Sequence, residues 1–199
     1  MTSEKLLRTF IAVELPHAVK DTTLNLQTMV SAQPKVVKWV KMANLHLTLR
    51  FIGPTPEEDV PKIREAIDSA VNTHHDISLT IQGTGIFPKP QRPRVLWLGS
   101  EGEIKKVQNL VADINIELDK LGYPAEEREY SPHITIGRIR YPQKVTPDVT
   151  EFLNSIYDPI PFTIEKIKFI QSELIPGGPL YSILSVHDLT PLTEENFHA

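Results

Sequence analysis

The chain has 199 residues, with 21 Lys and Arg against 25 Asp and Glu, a net charge of −4 and no cysteine. That length holds one domain with a substantial core or two closely packed lobes, and the ordinary apolar and charged fractions predict a soluble globular protein. A disulfide framework, a thiolate nucleophile and a cysteine zinc site are excluded, no apolar run approaches the roughly 20 residues that span a bilayer, and the charge balance argues against a surface coated for long nucleic acid.

Leu6–Glu14 reads as a strand, and Pro16 opens a helix whose apolar positions are Val19, Thr22 through its methyl, Leu26, Met29 and Val30. Val36–Val40 and Leu45–Ile52 follow as strands joined by a short turn at 41–44. Thr55-Pro56-Glu57-Glu58 has capping-box spacing with proline at the first helical position, which predicts a helix from there, although Pro61 allows a start nearer Asp59. Val60, Ile63, Ile67, Ala70 and Val71 form that helix's apolar face.

Ile77–Phe87 and Arg94–Leu98 read as strands around a proline-rich loop at 88–93. Ile104, Val107, Leu110, Val111, Ile114, Leu118 and Leu121 mark the clearest amphipathic helix, ended by Gly122. Ile134–Ile139 is a strand, and Thr146-Pro147 begins a short helix through Ile156. Phe162–Ile170 and Tyr181–Val186 close the chain as strands around the turn Pro176-Gly177-Gly178-Pro179. The order lacks regular βαβ alternation, so a doubly wound parallel sheet is not expected. It predicts an α+β fold: two antiparallel sheets around a central cleft, helices outside, an approximate internal duplication, and one bilobal domain over residues 1–199.

Two strands carry the same polar pattern. Leu45-His46-Leu47-Thr48-Leu49 and Pro132-His133-Ile134-Thr135-Ile136 alternate apolar and polar residues, so one face of each presents a histidine and then a threonine. An unperturbed imidazole titrates near pH 6.5, so at neutral pH a pair can hold one neutral and one protonated ring. The neutral ring can take a proton from water or a hydroxyl while the other gives one to a leaving alkoxide. Each threonine hydroxyl can donate to a non-bridging phosphoryl oxygen as charge grows there. That division of labour needs no cofactor, metal or covalent intermediate and suits a strained cyclic phosphate. A metal held by the two histidines is the weaker alternative, because no carboxylate shares the motifs at ligand spacing.

Basic residues gather around these motifs: Lys35, Lys38, Lys41 and Arg50 near the first, Lys89, Arg92 and Arg94 in the proline-rich loop, Arg138, Arg140 and Lys144 after the second. Such local charge suits one or a few phosphates. Arg50 follows His46 and Thr48 in phase and is expected to hold the phosphate with its planar fork of donors. Arg138 falls on the opposite face of an unbroken strand, but a bulge at Gly137 would bring it into the cleft. Phe10, Trp39 and Tyr130 are candidates to stack a terminal base, with core packing the plainer role for each.

These residues also carry a likeness. The chain resembles the two-histidine phosphoesterases, specifically the RNA 2′,3′-cyclic phosphodiesterases, also called the 2′-5′ RNA ligase family. The resemblance runs nearly end to end, through residues 8–13, 44–53, 93–99, 131–138 and 172–178. It implies a bilobal fold with one histidine strand from each lobe lining the cleft, and opening of an RNA terminal 2′,3′-cyclic phosphate to a 2′-phosphomonoester. On the same resemblance His46 is the proton donor to the departing 3′-oxygen and His133 the base, an assignment the sequence leaves reversible. Thr48 and Thr135 hold the phosphate. Ligation with an RNA 5′-hydroxyl is the reverse reaction. A non-catalytic RNA-end module and a phosphodiesterase for a small cyclic-phosphate nucleotide stay open. No membrane partner is expected. A monomer and, with no leader apparent, the cytoplasm are the default expectations.

Overall fold

Five successive buried residues, Thr9 to Val13, mark the first strand as an interior one. In chain order the elements are β1 (Leu6–Glu14), α1 (Ala18–Thr28), β2 (Val37–Trp39), β3 (His46–Pro56), α2 (Val60–Val71), β4 (Ile77–Phe87), β5 (Val95–Gly102), α3 (Ile104–Asp119), β6 (Ile134–Ile139), α4 (Thr150–Leu153), β7 (Ile160–Ile164), β8 (Lys166–Ile175) and β9 (Gly178–Asp188). This computed structural model describes residues 5–32, 35–140 and 146–191, so Lys144 lies outside the described residues.

The strands form two antiparallel sheets, one ordered β3-β1-β8-β9 and the other β2-β6-β5-β4-β7. Each sheet repeats one unit. In the first, β1 is followed by α1 and the chain returns as β3 beside β1; in the second, β5 is followed by α3 and returns as β6 beside β5. The two sequence halves do not each build one sheet, because β2 joins the edge beside β6 while β8 and β9 complete the sheet of β1.

β1 is apolar on both faces because both are covered. Ile11 and Val13 belong to the main core, whereas Phe10 and Ala12 form a small second cluster with Ile170 and Tyr181 on the other face. Ile63 and Ile67 of α2 and Leu110 and Ile114 of α3 are fully buried in the main core, each contributing roughly 1.5–3 kcal/mol of transfer free energy. β3 and β6 pack against each other, which brings the two histidine strands together where the sheets meet. Among the described residues no helix is long and apolar enough to cross a membrane.

Four local expectations are corrected. The predicted strand Phe162–Ile170 is two strands in different sheets: Ile164 pairs with Ile77 on β4, Lys166 pairs with Asp188 on β9, and Glu165 is the crossing point. The capping-box reading of Thr55 fails because Thr55 is the last buried residue of β3, with its hydroxyl 2.7 Å from that of Thr9 and bonded to the Gly53 carbonyl. The helix starts after Asp59, with proline in its first turn. In α1 the inward residue is Thr23 rather than Thr22. The helix predicted from Thr146 to Ile156 shrinks to the single turn α4.

Candidate active site

His46 is the first residue of β3, following a short 3-10 turn at Met42–Asn44. Its Nδ1 lies 2.8 Å from the Asn44 carbonyl. His133 directly precedes β6, and its Nδ1 lies 2.8 Å from the Ser131 carbonyl. A carbonyl only accepts, so in both rings Nδ1 carries the hydrogen and Nε2 is the nitrogen left for proton transfer. Both anchors use the carbonyl two residues earlier, and in both strands the apolar residues around the threonine are buried: Leu47 and Leu49 beside Thr48, Ile134 and Ile136 beside Thr135. Both histidines and both threonines are half-buried, as groups at a cleft wall are.

The strands also share a break in register directly after the threonine. Ala12 pairs with Thr48 but Ile11 with Arg50, leaving Leu49 extra; Trp97 pairs with Thr135 but Leu96 with Gly137, leaving Ile136 extra. Each bulge shifts the alternation by one residue. Position four after the histidine therefore turns inward and position five turns out. This reverses the expectation for Arg50, which is only 6% exposed. Its Nη2 donates to the carbonyls of Tyr123 and Pro124, just beyond α3, and burial draws its pKa below the ordinary guanidinium value. Arg50 therefore braces the loop after α3 and does not stand with the histidines. The bulge sets Arg138, which is exposed, on the face of β6 that Thr135 shares. Gly137 permits the close packing there: a Cβ would lie 2.8 Å from the Trp39 ring.

An aromatic wall backs each histidine. Phe10 and Tyr181 have ring centroids 4.9 and 5.6 Å from His46. Phe87 and Trp97, stacked on each other at 5.2 Å, stand 5.2 and 6.3 Å from His133. Trp97 lies across Gly85, where a Cβ would fall 2.1 Å from the indole. Arg128 lies over the Phe87 ring of the second wall, and Arg8 lies over Phe51. Of the aromatics named from the sequence, Phe10 is beside the site. Trp39 packs on Gly137, and Tyr130 donates its hydroxyl to the Thr48 carbonyl. Tyr181, Phe87 and Trp97 were missed. Trp97 was accessible in principle, since it alternates with buried Leu96 and Leu98.

Burial lowers the pKa of His46; the Asn44 carbonyl opposes that shift, and the charge of Arg138 adds to it. The last effect places the guanidinium of β6 in the field of the histidine of β3. A cavity of about 230 Å³ opens beside His46, lined by Asn44, Ile170, Tyr181 and Ile183 with Lys20 and Lys168. Among the described residues no three His, Asp or Glu side chains converge as a metal site.

Two imidazoles anchored alike, each with a hydroxyl on its own strand, at the junction of two antiparallel sheets, define a two-histidine phosphoesterase. The chain belongs to the LigT-like phosphoesterase family, whose profile matches residues 13–97 and again 98–181. It is 34% identical over 180 residues to the RNA 2′,3′-cyclic phosphodiesterase of Thermotoga maritima, covering 89% of this chain and 93% of that one. It is 30% identical over 186 residues to the enzyme of the same name from Methanothermobacter thermautotrophicus, covering 92% and 99%. Among solved structures, TT0787 of Thermus thermophilus superposes with a TM-score of 0.77 at 27% identity, covering 93% and 99% of the two chains. E. coli LigT complexed with 3′-AMP shares the fold with a TM-score of 0.73 at 21% identity, covering 94% and 99%.

Proposed function

We propose that the chain is an RNA 2′,3′-cyclic phosphodiesterase that opens a terminal cyclic phosphate to a 2′-phosphomonoester. The observation that carries this reading is the matched anchoring of His46 and His133, each with Nδ1 on a backbone carbonyl and a threonine two residues on. A non-catalytic module would not need two rings held in the same tautomer. In the proposed reaction water attacks phosphorus in line with the 3′-oxygen. His133 takes the water proton as the new P–O bond forms, and His46 gives its proton to O3′ as the P–O3′ bond breaks. Thr48 and Thr135 donate to the non-bridging oxygens, and Arg138 supplies positive charge on the same side. With an RNA 5′-hydroxyl attacking phosphorus in place of water, the P–O5′ bond forms as P–O3′ breaks, and the same groups make a 2′-5′ linkage. One chain supplies all four side chains, so a monomer, folded as one bilobal unit, is the proposed working form. Cytoplasmic RNA is the proposed setting.

The test is turnover of a short RNA ending in a 2′,3′-cyclic phosphate, in EDTA, by wild type, His46→Ala and His133→Ala. The expected product is the 2′-phosphate, unaffected by chelation, with each variant slowed about 10²–10⁴-fold as general acid–base groups are. Loss of wild-type activity on chelation would overturn the mechanism. Turnover of only a small cyclic-phosphate nucleotide would move the substrate assignment away from RNA.

A further inference from the structure

We propose that Lys38 and Arg138 form a second phosphate subsite, which holds the internucleotide phosphate adjacent to the terminal cyclic phosphate. The inference rests on the phosphodiesterase reading and adds where the RNA strand leaves the site. In the β2–β6 ladder Lys38 and Arg138 are direct cross-strand partners, and both are exposed. Side chains of directly opposed residues share a face, and like charges so placed destabilise a sheet unless something anionic lies between them. Among the described residues no carboxylate is paired with either cation, and residues 35–50 and 130–140 contain no Asp or Glu at all.

The pair is placed where an RNA backbone would pass. Arg138 lies three residues beyond Thr135 on the same face, roughly 10 Å along an extended strand, a distance the bulge shortens. Lys38 lies one strand further out, about 4.8 Å away, on the edge strand of the five-stranded sheet. The edge is stiff at this point because Trp39 packs over Gly137 and the Arg140 amide donates to the Val36 carbonyl at 2.9 Å. Thr135, Arg138 and Lys38 thus form a line of donors leading outward from the catalytic face. A mononucleoside cyclic phosphate ends before that line does, and an oligonucleotide continues along it. A lysine on an unpaired edge can also serve only to discourage pairing with another sheet, and that role has no effect on substrate choice.

The experiment compares kcat/KM for a dinucleotide ending in a 2′,3′-cyclic phosphate with that for a mononucleoside 2′,3′-cyclic phosphate, in wild type, Lys38→Gln and Lys38→Arg. Wild type is expected to prefer the dinucleotide, Lys38→Gln to reduce that preference about fivefold, and Lys38→Arg to restore most of it. The dependence of log kcat/KM on log salt for the dinucleotide should become shallower by about 0.7 in Lys38→Gln, as for one lost phosphate contact on a single strand. An unchanged preference in Lys38→Gln, an equal loss on both substrates, or a wild type indifferent to the extra phosphate overturns the subsite. Failure of the wild type on both substrates is a different result, which removes the phosphodiesterase reading itself.

Discussion

The hydroxyl of Tyr130 donates to the backbone carbonyl of Thr48 across 2.9 Å, so the segment entering the second histidine strand is fastened to the first histidine strand beside its threonine. Tyr130 is half-buried and packed against the main core, and burial pushes its hydroxyl pKa up. The bond crosses between sheets. It fixes the Thr48 peptide relative to the strand of Thr135, which the proposed chemistry requires if the two hydroxyls are to share one phosphate.

Tyr130→Phe keeps the ring and removes that one donor. A net hydrogen bond is worth about 0.5–1.5 kcal/mol, so urea unfolding should show a loss of that size. kcat should fall a few-fold with little change in KM, because the ring still packs while Thr48 loses its restraint. A variant with unchanged kcat and unchanged stability would show that the cross-sheet bond has no role in either.

Arg50 makes the opposite prediction from the one its phase in the sequence suggests. Its guanidinium satisfies carbonyls at Tyr123 and Pro124, and hydrogen bonds from charged donors are worth about 1.5–3 kcal/mol. Arg50→Met retains most of the aliphatic bulk and leaves those carbonyls without the donor. Stability should fall by about 2–3 kcal/mol in denaturant melts, while kcat/KM of the folded fraction stays within about threefold of wild type. A large loss of kcat/KM with no loss of stability would return Arg50 to the substrate.

Much of this was legible in the sequence where one physical rule acted alone. β1, β4 and β6 match their predicted limits, and α3 shows its buried Val107, Leu110, Val111, Ile114 and Leu118 through helical spacing. The misses fall where a local pattern was overruled by pairing. Arg50 was placed in the cleft by strict alternation, and a one-residue bulge at Leu49 reversed it. Nothing local marks that bulge, whereas Gly137 announced its counterpart. The break at Glu165 was visible as Ile164 and Ile167 lying three apart, out of step with a single strand, but only the pairing partners assign the two pieces to different sheets. Tyr181 reaches His46 from the far end of the chain, through a β8–β9 hairpin whose place beside β1 no short motif encodes.

Arg138 and His46 should be coupled in titration. Burial holds the His46 ring below the ordinary histidine value near 6.5, and Arg138 adds to the depression. Protons then favour the unfolded chain: stability is complete above about pH 6.5 and part of it is lost as pH falls through the folded value. With His46 as proton donor, kcat/KM should decline on its alkaline side at a pH below that of a free histidine. Arg138→Gln should move that limb upward, and the His46 ring resonance should titrate higher in parallel. A limb that does not move would show that the guanidinium field does not govern the donor, and movement of the acid limb alone would exchange the roles of His46 and His133.

Asn44 holds His46 in place from three directions. Its carbonyl accepts the Nδ1 hydrogen of His46 at 2.8 Å, its amide donates to the Lys41 carbonyl at 2.8 Å, and its Nδ2 donates to the Pro179 carbonyl at 2.8 Å. The last of these ties the turn before β3 to the β8–β9 hairpin, the same hairpin that sets Tyr181 against the His46 ring. Asn44 is therefore proposed as a positioning residue: it fixes the peptide that orients the His46 ring and acts only through it. Asn44→Ala keeps the carbonyl and releases the peptide from the hairpin. A loosened acid–base group loses rate more than binding, so kcat should drop about tenfold while KM changes less than about twofold. Nδ1 of His46 should also exchange its hydrogen faster by NMR, a change that a general loss of stability at His133 would mirror and a local one would not. Equal loosening at both rings, or a KM effect with kcat intact, would mean that Asn44 supports the fold and not the donor.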